Sequence, residues 1–297
     1  MKRMACILLT VFLATLMALP VLAGEYPYAG VDLMGGEFTI DKAPEKVISL
    51  AASNTEIIYA LGMGDRLVGV DVWSNYPTEA VALEPKVGDF NGPDIEKIVA
   101  LEPDVVFAST SLQGDAMLKL RELGIQVVSS EATSYAQIAQ SIELIAGVIG
   151  ADASVLLDEM QSKQRTAEEA VAGAVRPRVY YALSFGEMGD WTCGAGTFID
   201  DIITMAGGVN VAHDGPVPWL MYSLEQLISD DPDIILISGD ADMVEALMAL
   251  PGYSVLRAVS QGKVFAVDPD ASSRPAPRLM DVMLEIAKLL HPEADLD

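Results

Sequence analysis

The sequence predicts an α/β fold of two lobes, each with a central parallel-type sheet flanked by helices, joined by one long backbone helix. The first indication is an internal repeat, because residues 94–109 (DIEKIVALEPDVVFAS) align without a gap with residues 223–238 (SLEQLISDDPDIILIS). The second is the alternation of short apolar runs with helical segments, which is typical of parallel sheets covered by helices. The third is the proline-free segment 134–174, rich in Ala, Glu, Gln and Leu, which favours a stiff helical connection.

Residues 1–23 have the pattern of a secretory signal peptide. Basic residues precede an apolar run at 5–18, and cleavage is expected near Ala23. A membrane anchor is disfavoured because the run is short and Pro20 interrupts its end. Cys6 lies inside the run and not at the cleavage site, so we expect no lipid anchor. No later segment is long and apolar enough to span a bilayer, which predicts an exported, soluble mature chain.

The first lobe is predicted to occupy residues 24–150. Glycines close two of its helices, at Gly62 and Gly124, and Pro77 places the residues before it in a loop. The expected elements are strands at 47–50, 67–72, 105–109 and 125–128, and helices at 57–62, 94–101 and 115–123.

Residues 151–175 are predicted to be the connecting helix and 176–297 the second lobe. Gly147 and Gly150 break the helical segment, leaving one helix that ends near Ile149 and a second from 152 to about 172. The second lobe repeats the order of the first. Its expected elements are strands at 179–183, 234–238 and 263–267, and helices at 198–206, 223–230, 243–248 and 281–290.

The charge balance limits the partners of this protein. Asp and Glu number 43 against 18 Lys and Arg, for a formal net charge of −25. Such a surface repels phosphate backbones and anionic lipids, so nucleic-acid and membrane-surface binding are disfavoured. Loss of the signal segment leaves Cys193 as the single cysteine, so we expect no internal disulfide.

Catalytic and metal-binding motifs are missing from the sequence. Its histidines are His213 and His291, and it contains no G-x-S-x-G, no H-E-x-x-H and no phosphate-binding glycine loop. One internal histidine falls short of the ligand set of a zinc or manganese receptor. We therefore predict no catalytic residue, no resident metal and no prosthetic group.

Loop aromatics are the strongest binding signal. They lie in predicted loops flanked by Asn, Pro, Gly or Ser, and not at helical spacing within apolar runs: Trp73, Tyr76, Phe90, Trp191 and Trp219. Tryptophans also fill protein cores without any ligand. However, all three tryptophans are predicted in loops that follow strands, and several such rings favour a cleft for a large, flat, largely uncharged small molecule.

Charged residues supply two further hypotheses. Glu96 and Glu225 stand at equivalent positions of the repeat, each six residues after an aromatic. A carboxylate in a first helical turn is stabilised by the helix dipole alone, yet two equivalent ones also suit a symmetric partner with paired arginines. Arg274 and Arg278 lie in a Pro-rich loop, where they either face the cleft or form ion pairs.

Several motifs in order resemble the substrate-binding proteins of ABC importers for cobalamin, iron-siderophores and haem. They are VISLAASNTE, GVDVWSNYP, DIEKIVALEPDVV, VPW before Glu225, and RPAPR, and they cover about residues 43 to 291. The SNYP, VPW and WTCGAG segments are most similar to the cobalamin branch. Asp270-Ala271 departs from that branch where an aromatic is expected.

The resemblance implies a periplasmic, non-enzymatic protein that carries cobalamin as its transported ligand. It implies that Trp73, Phe90, Trp191 and Trp219 line the cleft. From the residues themselves, Tyr76 and Arg274 are further candidate ligand contacts, and we expect a monomer. It also implies that Glu96 and Glu225 dock on arginines of the ABC permease dimer.

Two alternatives remain open at this point. The same scaffold carries ferric siderophores or haem, for which Arg274 and Arg278 would face the ligand. An exported hydrolase using Glu96, Glu225 or Cys193 is an alternative of another class.

Overall fold

The computed structural model describes residues 25–82, 85–109 and 111–296. The predicted signal segment at 1–23 lies outside these ranges. Within them, no helix combines the length and the apolar character needed to cross a bilayer.

The described part of the chain contains two parallel four-stranded sheets and two antiparallel two-stranded ribbons. In chain order the strands are β1 (Tyr28–Val31), β2 (Glu37–Ile40), β3 (Val47–Ser49), β4 (Leu67–Val70), β5 (Val105–Ala108), β6 (Val127–Ser129), β7 (Arg178–Ala182), β8 (Trp191–Cys193), β9 (Val209–Asn210), β10 (Trp219–Met221), β11 (Ile234–Ser238) and β12 (Val264–Val267).

Helices cover the sheets and connect the lobes. In chain order they are α1 (Ala52–Ala60), α2 (Thr78–Ala82), α3 (Ile95–Ala100), α4 (Gly114–Glu122), α5 (Tyr135–Ile149), α6 (Ser154–Ala170), α7 (Phe198–Met205), α8 (Leu224–Asp230), α9 (Ala241–Ala249), α10 (Arg257–Ser260), α11 (Pro269–Ser273) and α12 (Leu279–Leu290).

The two large sheets have the same topology. The first lobe orders its strands β4-β3-β5-β6, and the second orders them β12-β11-β7-β9. Numbered by appearance within each lobe, both orders read 2-1-3-4, and all neighbours are parallel. The repeat seen in the sequence is therefore a structural repeat, and the two-lobed α/β prediction is confirmed.

Equivalent residues of the repeat have equivalent structural roles. The side chains of Asp94 and Ser223 cap α3 and α8, each accepting a 3.1 Å hydrogen bond from the backbone N–H three residues later. The residues that precede the repeat prolines, Glu102 and Asp231, both have positive φ, at 50° and 40°. The matched helix caps and turns show that both copies of the repeat have the same local backbone structure.

The third strand of each sheet is anchored by a matched aspartate. Asp104 accepts hydrogen bonds from the backbone N–H groups of Glu45 and Lys46 in the first lobe. Asp233 accepts one from the N–H of Arg178 in the second. Asp104 thus ties the start of β5 to the residues before β3, and Asp233 ties the start of β11 to the start of β7.

The connection between the lobes contains two long helices. α6 lies within the predicted connecting segment and packs on α12, while α5 contacts α1 of the first lobe and α7 of the second. One hydrophobic core runs without a break from the first-lobe strands through α5 to the second-lobe strands and α12. Because both lobes share this core, we expect movements of one lobe relative to the other to be small.

A hairpin that the sequence analysis did not predict precedes the first-lobe sheet. β1 and β2 pair in antiparallel register, with Tyr28 opposite Ile40. The hydroxyl of Tyr26 donates a 3.0 Å hydrogen bond to the carbonyl of Val148, and Tyr28 lies against Gly147, where a Cβ would clash with its ring. The hairpin therefore braces the end of α5.

Candidate functional site

A cavity of about 350 Å³ lies between the lobes. The first lobe contributes Phe90, Leu112, Glu131, Ala132 and Thr133, and the second contributes Leu183, Phe198, Ile199, Trp219, Ser273 and Pro275. Most of these side chains are apolar, and no Lys or Arg is among those that the structure shows lining the cavity.

The cavity follows from the direction of the strands. Glu131 comes two residues after β6, and Leu183 directly follows β7, so both lie beyond the carboxyl ends of parallel strands. Ligands of open α/β sheets bind at this edge, because the loops there are free to vary while the sheet holds them in place. Two such edges facing each other create a cleft suited to a small molecule.

Phe90 and Trp219 are the matched aromatics of the repeat, and both line this cavity. They come from opposite lobes. The Trp219 ring packs edge-on against Phe198, with centroids 5.8 Å apart and an interplanar angle of 63°. The structure thus brings together the two rings that the repeat singles out.

Trp191 and Trp219 are not in loops, and that part of the sequence prediction is wrong. They belong to β8 and β10, which pair with Trp219 opposite Cys193 and Met221 opposite Trp191. Both strands are three residues long, which is too short for an apolar alternation to be visible in the sequence. The tryptophans are diagonal neighbours on one face of this ribbon, each 41% exposed, and Trp191 is not among the cavity-lining residues.

Trp73 and Tyr76 lie in the loop after β4 and are also absent from the cavity lining. Trp73 is 61% exposed. The guanidinium carbon of Arg278 lies 3.9 Å from the centroid of the Tyr76 ring, a cation–π contact. Ligand contact by these two rings stays a prediction.

Arg274 and Arg278 converge on one buried carboxylate, that of Glu56 on α1. Nη1 of Arg274 lies 2.8 Å from Oε1 of Glu56. Nε and Nη2 of Arg278 lie 2.9 Å from Oε2 and 2.6 Å from Oε1 of Glu56. Nη2 of Arg274 also donates to the carbonyl of Trp73 and to Asp270.

This network joins the lobes, since Glu56 belongs to the first and the arginines follow the last strand of the second. The sequence predicts Arg274 as a candidate ligand contact, whereas in the structure its guanidinium is bound by protein oxygens and its side chain is 7% exposed. A further link crosses the same boundary, where Nδ2 of Asn75 donates a 2.7 Å hydrogen bond to Asp270. Ligand contact by Arg274 remains a prediction that would require this network to rearrange.

Glu131 is a cavity residue that the sequence analysis missed. Ser53 Oγ donates a 2.7 Å hydrogen bond to its Oε1, and Ser109 Oγ donates to its Oε2. Burial raises the pKa of Glu131 to about 7, and the charge of Asp71 acts in the same direction while the Ser53 hydrogen bond opposes them. The available signal was its position just after a predicted strand, where ligand-binding side chains gather.

Glu96 and Glu225 lie in the first turns of α3 and α8. Both are exposed, and neither takes part in an ion pair among the described residues. Their equivalence follows from the repeat. The structure thus presents two free carboxylates at matched positions, one on each lobe.

The remaining candidate residues, Cys193 and His213, lie in surroundings that indicate a structural role. Cys193 is buried, and burial raises the pKa of its thiol to about 12, so the thiolate needed for nucleophilic chemistry is disfavoured. Nδ1 of His213 lies 2.9 Å from Oδ2 of Asp200, a pair outside the cavity lining. In residues 25–82, 85–109 and 111–296, no group of three or more His, Cys, Asp or Glu side chains is placed to hold a metal ion.

The sequence matches a known family model, described as periplasmic binding protein, over residues 47–271. An ABC transporter substrate-binding lipoprotein of Bacillus subtilis is 33% identical over 90% of this chain and 87% of its own length. A protein of Halobacterium salinarum named cobalamin-binding protein is 32% identical over 91% of this chain and 75% of its own length.

Solved structures show the same architecture. The periplasmic vitamin B12-binding protein of Vibrio cholerae superposes with a TM-score of 0.74 at 29% identity, covering 84% of this chain and 97% of its own. The periplasmic haem-binding protein of the same organism also superposes with a TM-score of 0.74, at 26% identity, covering 83% of this chain and 99% of its own.

Proposed function

Because the chain belongs to the periplasmic binding protein family of ABC importers, we propose that it captures cobalamin or a related corrinoid between its lobes and delivers it to a permease. Members of this family bind their substrate without chemical change, and the protein is not an enzyme. The hydrolase alternative is therefore set aside. We further propose that the mature protein is periplasmic and monomeric.

The composition of the inter-lobe cavity is the observation that carries this proposal. Phe90 and Trp219 supply aromatic faces from opposite lobes, and the other lining side chains are mostly apolar. A flat macrocycle buries large apolar faces against such rings, and each ring offers a gross gain of roughly 4 kcal/mol at ~25 cal/mol/Å² before ordering costs.

Charge supports a corrinoid over an anionic ligand. Carboxylates of haem, or of an acidic siderophore, call for arginine or lysine partners in a buried site. None lines the cavity among the described residues, and Arg274 and Arg278 are held by Glu56. The relatives named for cobalamin and vitamin B12 point to the same ligand class.

Delivery needs a docking surface, and we assign it to Glu96 and Glu225. Their carboxylates are exposed, unpaired among the described residues and equivalent by the repeat. A permease dimer with two arginine clusters would meet one carboxylate with each half.

Ligand identity is tested with purified mature protein and three compounds: cyanocobalamin, haem and a ferric hydroxamate. After incubation and desalting, the visible spectrum should show cyanocobalamin retained at one molecule per protein. Titration calorimetry with each compound then ranks the three affinities. Retention of haem or the ferric hydroxamate with no retention of cyanocobalamin would overturn the proposal in favour of the alternative ligand class.

A further inference from the structure

Among the described residues lining the inter-lobe cavity, Glu131 is the one ionisable side chain. Facing residues of the second lobe are apolar apart from Ser273, so the opposite wall offers the carboxylate no cation. The guanidinium groups of Arg274 and Arg278 do not line the cavity and lie against Glu56, Asp268, Asp270 and a backbone carbonyl. Glu131 therefore has no charged partner within the site.

Hydrogen bonding satisfies this carboxylate only in part. Ser53 donates to one oxygen and Ser109 to the other. An ionised carboxylate has about four lone-pair sites, so two acceptor positions remain for a group in the cavity. Burying a charge without full hydrogen bonding is unfavourable, so closure of the site favours a ligand that donates hydrogen bonds to those positions.

We propose that Glu131 is a specificity-determining residue of the binding site, and that its carboxylate accepts hydrogen bonds from N–H groups of the bound ligand. The inference rests on the proposed function, and it narrows the ligand class. Neutral molecules with amide N–H donors, or cations, satisfy Glu131. Ligands that present carboxylates or other anions to this wall are repelled.

The surroundings of Glu131 define how it responds to pH. Ser53 on α1 and Ser109 after β5 donate to it, and Asp71 after β4 is the charged neighbour that acts on it. Asp71 is itself bonded by Ser74 and the N–H of Trp73, and burial raises its pKa too. The cavity-lining residues of the second lobe contribute no titratable group.

Whether protons are released or taken up on ligand binding distinguishes two ways in which the ligand could contact Glu131. A ligand N–H donor stabilises the ionised form, so it lowers the pKa of Glu131 in the complex below the value of about 7 in the free protein. Binding then releases protons and weakens as the pH falls below 7. A ligand that presents an acceptor or an apolar surface has the opposite effect, with proton uptake and weaker binding at high pH.

The test is calorimetric titration of the whole mature protein with cyanocobalamin, whose corrin ring carries primary amides. Titrations at pH 5.5, 7 and 8 in buffers of different ionisation enthalpy give both the Kd and the protons exchanged. We expect affinity to be about tenfold weaker at pH 5.5 than at pH 8, and release of up to about half a proton per site at pH 7.

The Glu131→Gln variant should abolish both the proton release and the pH dependence, and should weaken binding about tenfold at pH 8. Glu122→Gln, an exposed glutamate at the end of α4, should leave both unchanged. The wild-type titration shows by itself whether protons are released or taken up on binding. The test therefore does not depend on the variant folding.

Each outcome is decisive. Proton uptake, a flat pH profile, or tighter binding by Glu131→Gln would overturn the role of Glu131 while leaving the proposed function intact. Failure of cyanocobalamin to bind at every pH would overturn the proposed function, and the inference would fall with it.

Discussion

Oε1 of Glu56 and Nη1 of Arg274 lie 2.8 Å apart, although the residues are 218 positions apart in the chain and belong to different lobes. Both side chains are almost fully buried, at 2% and 7% exposure. Arg278 binds the same carboxylate, so one glutamate is shared by two guanidinium groups at the boundary between the lobes, and Asp270 and Asp268 supply further negative charge. The distance between the lobes in this structure therefore depends on a buried charge network as well as on the shared core.

Replacing Glu56 with Gln should destabilise the protein strongly. The buried guanidinium of Arg274 and the partly buried one of Arg278 would lose their shared anion, and breaking a buried pair from one side costs roughly 3–5 kcal/mol. Urea unfolding at neutral pH measures the difference. Glu102→Gln is the matched control, since its 3.4 Å pair with Lys46 is largely exposed and is worth about 1 kcal/mol or less. Equal losses in both variants would contradict the buried-network interpretation.

The stability of the ligand-free protein should carry a signature of Glu131. Its pKa is raised from 4.5 to about 7 in the folded state, so the folded protein binds this proton more tightly than the unfolded chain. The stabilisation is fully present below pH 4.5 and is lost as the pH rises to about 7, a loss on the order of 3 kcal/mol.

Unfolding free energies at pH 5 and pH 8, compared between wild type and Glu131→Gln, isolate this contribution from other titrating groups. The variant should lose less stability than the wild type over that interval. Glu122→Gln should behave as the wild type does. A wild-type difference that Glu131→Gln leaves unchanged would mean that Glu131 titrates normally.

The aromatic residues should rank by their position in the cavity. Phe90→Ala and Trp219→Ala should each weaken cyanocobalamin binding by about thirtyfold or more, because buried aromatic anchors in a binding site are worth about 2 kcal/mol or more. Trp73→Ala and Trp191→Ala should have smaller effects, since neither ring lines the cavity. Calorimetric Kd values for the four variants test this order, and a reversed order would place the ligand nearer the exposed loop than the cavity.

Removing the two docking carboxylates should abolish transport without changing the affinity for the ligand. The double variant Glu96→Ala/Glu225→Ala should abolish uptake of labelled cyanocobalamin in cells that contain the permease, while its Kd for the ligand stays unchanged. Glu122→Ala/Glu245→Ala removes the same charge from other exposed helical positions and should transport normally. Loss of ligand affinity in the first variant would refute the docking assignment.

The helix caps of the repeat offer a matched stability test. Asp94→Ala and Ser223→Ala each remove a side chain that caps a repeat helix, so each should lower the free energy of unfolding by about 1 kcal/mol. Ser162→Ala, an exposed position inside α6, should be neutral or slightly stabilising. Chemical denaturation decides, and a neutral effect at one cap alone would show that the two copies differ in local stability.

The sequence by itself determined the two-lobed α/β fold, the repeat and the equivalence of Phe90 and Trp219 within that repeat. These depend on local patterns, namely apolar period, helix caps and proline turns, which act within a few residues and recur in both copies. The same reasoning failed for Trp191 and Trp219 as loop residues, because three-residue strands have no readable period.

Tertiary structure alone decided what lines the cavity and where the arginines point. Arg274 could face a ligand or an ion pair as far as its own neighbours indicate, and only the approach of Glu56 from the other lobe settles its partner. Glu131 likewise gains its serine donors and its raised pKa from residues that are distant in the chain, Ser53 in α1 and Ser109 after β5. Burial and charge pairing are properties of distant groups brought together, so a one-dimensional pattern does not contain them.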